Sequence, residues 1–334
     1  MRVDPKLARG LTMAEARAIL RHDHAAAPGS LRDEGHPVRR AAKPVLWRYR
    51  TGRPPDRTFV LRLAEAIDAA YADDPGTVSR AAREVPGYRP EEGAPWFERR
   101  YLHLRPASSE EGCRALRASC TAVTVDDIHV SLNQVELFEV HLHVIDRFHE
   151  RTRSGLVRDA MRTFGTELLA RIGLFWGLTE ASHADLDGAF AVPFADGLAL
   201  AALVPRPFME VEPFAFVQPI GREPLFYDKA ENRVAARKAT PVSRGARIAT
   251  FVGPCEMNER QRRYREAVEA IAARHAEHIA HVTDMMTATG RVLKRMMEPD
   301  FEAWSHRNSL TFRRDMTRLL EDPEMVRAMG ATRQ

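Results

Sequence analysis

The chain has 334 residues, of which 44% are hydrophobic and 29% charged, a composition typical of globular domains. No run of residues approaches the roughly 18 apolar residues that cross a bilayer, and the start, MRVDPKLARGLTMAEAR, lacks the apolar segment of a signal peptide. Three cysteines without a C-x-x-C pair argue against a disulfide framework and a thiolate zinc site. These features predict a cytoplasmic protein with no membrane partner.

Charge is unevenly distributed along the chain, although the net charge is only +4. Residues 1–60 contain 13 Arg and Lys against 6 Asp and Glu, an excess of +7, whereas residues 101–150 contain 4 against 8, an excess of −4. A basic front half beside an acidic stretch is typical of a protein that meets a polyanion with one face. The same pattern also fits an ordinary solvated surface in an Arg-preferring chain.

The N-terminal region, residues 1–98, is predicted to be basic and mostly helical. Residues 11–22 carry a capping box, residues 25–44 are a loop rich in Gly, Pro and charge, and residues 58–72 have an apolar helical stripe. The stretch leading into residues 58–72 resembles the end of a helix-turn-helix repressor, but no recognition helix precedes it. The Pro and Gly residues of 86–98 predict a linker, or a loop wrapping the next unit.

Residues 99–255 are predicted to form a core domain, and residues 256–334 a helical C-terminal extension. The β-branched residues and the hairpin signal Ala195-Asp196-Gly197 predict strands at 101–105, 121–132, 188–194, 198–204, 214–220, 233–238 and 247–253. Helical periodicity predicts helices at 134–153, 155–175 and 258–298, with shorter ones in 301–329. The predicted fold class is therefore α+β, with central helices packed on a small antiparallel sheet, because alternating βαβ units are not evident.

The most informative motif lies in the first of the central helices. On a helix, His143, Arg147 and Arg151 are spaced by four residues, so their side chains lie along one face. An anion is a natural complement to a His and two Arg on one ridge, and Asp146 and Glu150 beside it are placed to orient the arginines. These residue types suit phosphoryl chemistry, because His moves protons near neutral pH and Arg binds phosphate.

Read as H-x-x-x-R-φ-x-E-R, this segment resembles the opening helix of toxin-type ribonucleases of the RelE, colicin-nuclease and barnase group. The resemblance covers about residues 134–253 and implies metal-independent RNA cleavage, without a cofactor, by attack of a ribose 2′-hydroxyl on phosphate. It implies that His143 is the general acid or base, that Arg147 and Arg151 hold the phosphate, and that substrate-binding residues are Glu150, Arg247 and Thr250. Thr250 is expected to face the helix, but the strands lack a clear second catalytic His.

Other interpretations of the motif residues stay open. A binding regulator linked to phage or plasmid biology, without catalysis, would have these arginines neutralised by carboxylates. Its partner would be nucleic acid, RNA rather than DNA, or a protein such as an inhibitor. The histidines His141, His143 and His149 are candidate zinc ligands, although a helix would point the first two about 200° apart.

Two C-terminal segments carry further candidates. His275, His278 and His281 are expected on a solvated helix face, with a metal site as the alternative. Residues 304–318 are basic with two aromatics, which suits a surface helix or nucleic-acid binding. The sequence contains no G-x-x-x-x-G-K-[ST], G-x-G-x-x-G, G-x-S-x-G or H-E-x-x-H motif. This disfavours a P-loop motor, a dinucleotide oxidoreductase and a serine hydrolase of the usual kinds.

Overall fold

The fold is given by a computed structural model, which describes residues 37–48, 57–72, 77–85, 96–106, 115–125, 129–152, 156–181, 189–205, 214–219, 225–228, 244–286 and 298–322. Its helices are α1 (Pro37–Arg48), α2 (Arg57–Ala72), α3 (Leu142–Thr152), α4 (Val157–Ala181), α5 (Glu259–Arg274), α6 (Ala276–Met286) and α7 (Phe301–Glu321). Its strands are β1 (Thr77–Val85), β2 (Trp96–Pro106), β3 (Ala115–Val125), β4 (His129–His141), β5 (Ala189–Phe194), β6 (Gly197–Pro205), β7 (Phe214–Pro219), β8 (Leu225–Asp228) and β9 (Arg244–Val252).

The sheet confirms the α+β class and corrects its predicted strand arrangement. The strand order is β1-β2-β3-β4-β9-β6-β5, and the β7–β8 pair joins at the start of β4. Strands β1 to β4 form an antiparallel meander, but β4 and β9 run parallel, with Phe138 opposite Ala246. The sheet is therefore mixed rather than antiparallel. The described part of the N-terminal region also contains strand β1, so this region is not entirely helical.

The segment 134–141 is a strand, so the prediction of a helix from residue 134 was wrong. It pairs with β3 throughout and with β9 near its end, and this cross-strand pairing overrides the local helical pattern. A bulge at Leu137 lets that side chain and Phe138 both be buried. The helix predicted there begins only at Leu142, which leaves His141 as the last residue of the strand.

The main core lies between the sheet and helices α3 and α4. The ring of Phe148 on α3 lies 5.1 Å from Phe251 of β9 and 5.5 Å from Phe164 of α4. On another side of α4, Gly173 is so close to α6 that a Cβ there would lie 2.1 Å from the carbonyl oxygen of Ile279. Helix α4 thus packs against both the sheet and the C-terminal helices.

The remaining predicted elements divide into confirmed, corrected and untested ones. Helix α2 and the hairpin at Ala195–Gly197 are confirmed, with Ala195 in the left-handed region at φ 47°. Helix α1 begins within the predicted loop 25–44, and the C-terminal helix breaks at His275. The predicted helix 11–22 and strand 233–238 lie outside the described residues. None of the described helices combines the length and the apolar character that a membrane crossing requires.

Candidate functional site

Three of the predicted site residues lie together on the outer side of α3. The Nε of Arg147 donates to Nε2 of His143 at 3.4 Å, and its Nη1 lies 3.4 Å from Oε2 of Glu150. His143 and Glu150 are exposed, and the Arg147 side chain is 26% exposed. The neighbouring helix face, with Val144, packs into the core. This arrangement gives a surface group of one imidazole, one guanidinium and one carboxylate.

Arg151 is separated from that group by its surroundings, although it follows on the same helix. Its side chain is 13% exposed, and its Nη2 lies 2.5 Å from Oε2 of Glu256 in the loop before α5. The aliphatic part of Arg151 packs on Gly253, where an added Cβ would lie 2.9 Å from Cδ of the arginine. Through these two contacts, Arg151 links α3 to the loop after β9.

The two predicted substrate-binding residues of β9 lie on the other face of the sheet. Ile248 and Phe251 both point toward the core, because a bulge at Ala249 interrupts the alternation between them. Outside the bulge, adjacent strand residues point to opposite faces. Arg247 and Thr250 therefore point away from α3, contrary to the expectation for Thr250. Arg247 forms a two-point ion pair with Glu139 of β4, with Nε–Oε1 2.8 Å and Nη2–Oε2 3.1 Å.

The predicted site residues thus occupy three separate environments rather than one concave pocket. Each of the three arginines has a carboxylate within 3.4 Å, from Glu150, Glu256 and Glu139. A phosphate approaching these guanidinium groups would have to compete with those carboxylates. Sequence spacing identified the helix face correctly, but Glu256 and Glu139 are not signalled by any local pattern.

A basic surface lies on the solvent side of α7, in the segment 304–318. Phe312, Met316 and Leu320 bury the opposite side of this helix. The exposed basic side chains are four arginines and one imidazole, Arg307, Arg313, Arg314, Arg318 and His306, and Leu310 among them is 51% exposed. These residues and Leu310 form the α7 basic face.

The acidic residue within the basic stretch of α7 points inward. Asp315 is 12% exposed and lies 3.0 Å from Nε2 of His275 and 2.9 Å from Nη1 of Arg274. The hydrogen bond from His275, together with Arg274, lowers the pKa of Asp315 below its ordinary value. Arg314 comes no closer than 4.0 Å to this carboxylate and is 61% exposed. In the described part of the chain, Arg307, Arg313 and Arg318 have no carboxylate within ion-pair distance.

The C-terminal histidines lie in the contact between α6 and α7, so the prediction of a solvated face was wrong. His275, His278 and His281 are 7%, 4% and 5% exposed. Phe312 packs on the first two, and Phe301 and Trp304 pack on the third. Among the described residues, no group of three or more His, Cys, Asp or Glu is arranged to hold a metal ion.

His278 is the most unusual of these histidines. It has no hydrogen-bond partner for either ring nitrogen within the described structure. Burial, and secondarily the neighbours His281 and His275, lower its pKa to about 4. The side chain is therefore neutral near pH 7, where it packs as an aromatic ring against Phe312.

Two buried polar groups on β2 were not found from the sequence. On one face, Nη2 of Arg100 lies 2.5 Å from Oε1 of Glu98 and contacts Oδ1 of Asp284 on α6. On the other, His103 Nε2 lies 2.9 Å from Thr121 Oγ1. The partners Asp284 and Thr121 are 184 and 18 residues away from Arg100 and His103. In the sequence, Arg100 and His103 are indistinguishable from surface positions.

The chain was compared with models of known protein families, with curated proteins and with solved structures, and none of the three comparisons found a match.

Proposed function

We propose that the protein binds nucleic acid through the α7 basic face and acts as a cytoplasmic regulator. The observation that carries this proposal is the separation of charge across α7. Between residues 303 and 320 the helix has one acidic residue, Asp315, and this side chain points inward to His275. The exposed acids Glu302 and Glu321 lie at the two ends of the helix. The arginine side chains point to solvent, where they can neutralise a phosphate backbone and release the counterions condensed on it.

The contrast with two arginines of the predicted site, on α3 and β9, supports the choice of α7. Arg151 and Arg247 are each held by a carboxylate at 2.5–2.8 Å, so binding of a phosphate would leave Glu256 or Glu139 without its partner. The arginines of α7 bind a phosphate without such a loss. Their helix is also fixed to the body of the protein by Phe312 and Met316, which keeps the basic face in place.

A charge-removal variant tests this proposal. The triple variant Arg307→Gln, Arg314→Gln and Arg318→Gln is expected to bind labelled nucleic acid at least about tenfold more weakly at low salt. The slope of log Kd against log salt should fall by roughly 2–3, since each lost phosphate contact removes about one counterion. Fluorescence anisotropy over a salt series measures both quantities.

The matched control removes three exposed arginines elsewhere, through Arg62→Gln, Arg158→Gln and Arg162→Gln on α2 and α4. This control should retain wild-type affinity and salt dependence. Equal loss in both triple variants would mean that binding depends on net charge alone and would refute a defined interface on α7. Thermal unfolding of both variants establishes that the fold is retained.

A second candidate function is metal-independent RNA cleavage at α3, by the toxin-type chemistry described above. The exposed group of His143, Arg147 and Glu150 favours it, because an imidazole and a guanidinium lie 3.4 Å apart at a surface. In this mechanism His143 accepts the proton of the ribose 2′-hydroxyl as its oxygen attacks phosphorus, and Arg147 stabilises the charge on the phosphate oxygens. The leaving 5′-oxygen would be protonated from solvent.

Incubation with total RNA in EDTA tests this second function. Cleavage by the wild type that falls by about 100-fold in His143→Ala and in Arg147→Ala would support it. The variant Arg158→Ala, an exposed position on α4, is the control and should cleave like the wild type. RNA that stays intact with folded wild-type protein would rule out this chemistry and leave the binding proposal unaffected.

A further inference from the structure

We infer that the α7 basic face docks in the major groove of double-stranded DNA. This inference rests on the proposed function and names its ligand. The sequence alone favours RNA, but the way in which α7 presents its cations favours duplex DNA.

The cations lie on two flanks of one exposed ridge. At 100° per residue, Arg307 and Arg318 lie within about 20° of each other. Arg313, with the imidazole of His306 about 20° from it, lies roughly 120° away on the other flank. Leu310 lies between the two flanks, and the Arg314 position lies nearer the first of them. All of these side chains are exposed. The helix therefore presents positive charge on both sides of a central ridge.

A helix in the DNA major groove has a phosphate backbone on each side, one from each strand. Cations on both flanks can therefore contact both strands at once. A single strand offers one row of phosphates, which would use only one flank. The major groove of B-DNA is about 12 Å wide and admits an α-helix, whereas the major groove of A-form RNA is too narrow for it.

The central residues fit base edges better than phosphates. Leu310 is 51% exposed although it is apolar, and an apolar side chain in the groove contacts the methyl group of thymine. Arg314, with its side chain 61% exposed, is able to donate to the O6 and N7 acceptors of guanine. The length of α7, from Phe301 to Glu321, is about 30 Å, so the ridge is long enough to follow the groove.

The test compares four labelled probes of the same sequence, about 20 base pairs or nucleotides long. These are duplex DNA, duplex RNA, single-stranded DNA and single-stranded RNA, bound by the full chain at low salt. Duplex DNA is expected to bind about tenfold more tightly than the others. Arg313→Gln and Arg318→Gln, one on each flank, should each reduce the salt slope for duplex DNA by about 1.

The outcomes separate this inference from the proposed function. Equal or tighter binding of duplex RNA or of a single strand, still weakened by the α7 triple variant, would overturn the duplex inference and leave the proposed function standing. Groove docking would also be overturned if the slope of log Kd against log salt changed in only one of the two variants, Arg313→Gln and Arg318→Gln. Absence of binding to all four probes would refute both.

Discussion

Replacing Arg100 with Met is expected to destabilise the protein by about 3–5 kcal/mol. The arginine connects Glu98 of β2 with Asp284 of α6, and these two acids are 5% and 7% exposed. Met fills most of the same volume but leaves two carboxylates in the interior without their cation. The effect should be measured as the free energy of unfolding in urea at pH 7.

The acids themselves provide the control for this experiment. Combining Arg100→Met with Glu98→Gln and Asp284→Asn removes the buried negative charge, so much of the lost stability should return. If Arg100→Met alone unfolds at the wild-type urea concentration, the contact between β2 and α6 does not have the assigned role. Cys120 is not a substitute partner for Arg100, because burial raises the pKa of its thiol to about 12.

Acidification from pH 7 to pH 4 is expected to lower stability by roughly 2–3 kcal/mol through His278. Its pKa in the folded protein is about 4, below the ordinary value of 6.5, so the unfolded chain binds the proton more readily. The stability that neutral His278 contributes to the fold is therefore fully present above about pH 6.5, and it is lost as the pH falls toward 4. Urea unfolding at a series of pH values measures this loss.

The variant His278→Leu isolates this contribution, because leucine has no group that titrates. Its free energy of unfolding should change much less between pH 6.5 and pH 4 than that of the wild type. Asp315, whose pKa is lowered chiefly by the hydrogen bond from His275, keeps its charge over most of this range. The same pH dependence in both proteins would show that other groups, not His278, govern acid sensitivity.

Local patterns predicted the elements whose structure depends on local interactions. The apolar stripe of α2 and the turn at Ala195–Gly197 are both local, and both were predicted correctly. Strand β4 was not predicted correctly, because its conformation is fixed by its pairing with β3 on one side and β9 on the other. Acids and apolar residues alternate in 134–141 as in a strand, except at Leu137–Phe138, where the bulge lies. This interruption of the alternation made a helix compatible with the pattern.

The candidate sites show the same division. Helical spacing predicted one ridge of His143, Arg147 and Arg151, and the structure groups the first two with Glu150. The burial of Arg151 depends on Glu256, which is more than one hundred residues away and follows no motif. The burial of His278 depends on α7, a helix that begins only at Phe301. Tertiary partners of this kind leave no signal in a single sequence.

The parallel pairing of β4 with β9 has a consequence for the order of folding. The ion pair between Glu139 and Arg247 joins residues 108 positions apart, whereas the β1–β4 meander and the β5–β6 hairpin close through shorter connections. Long loops must be closed before such distant contacts give any stabilisation, and this slows folding. During synthesis, the edge of β4 therefore emerges long before β9 is made. Until then this edge is a temporarily open site for pairing with other chains.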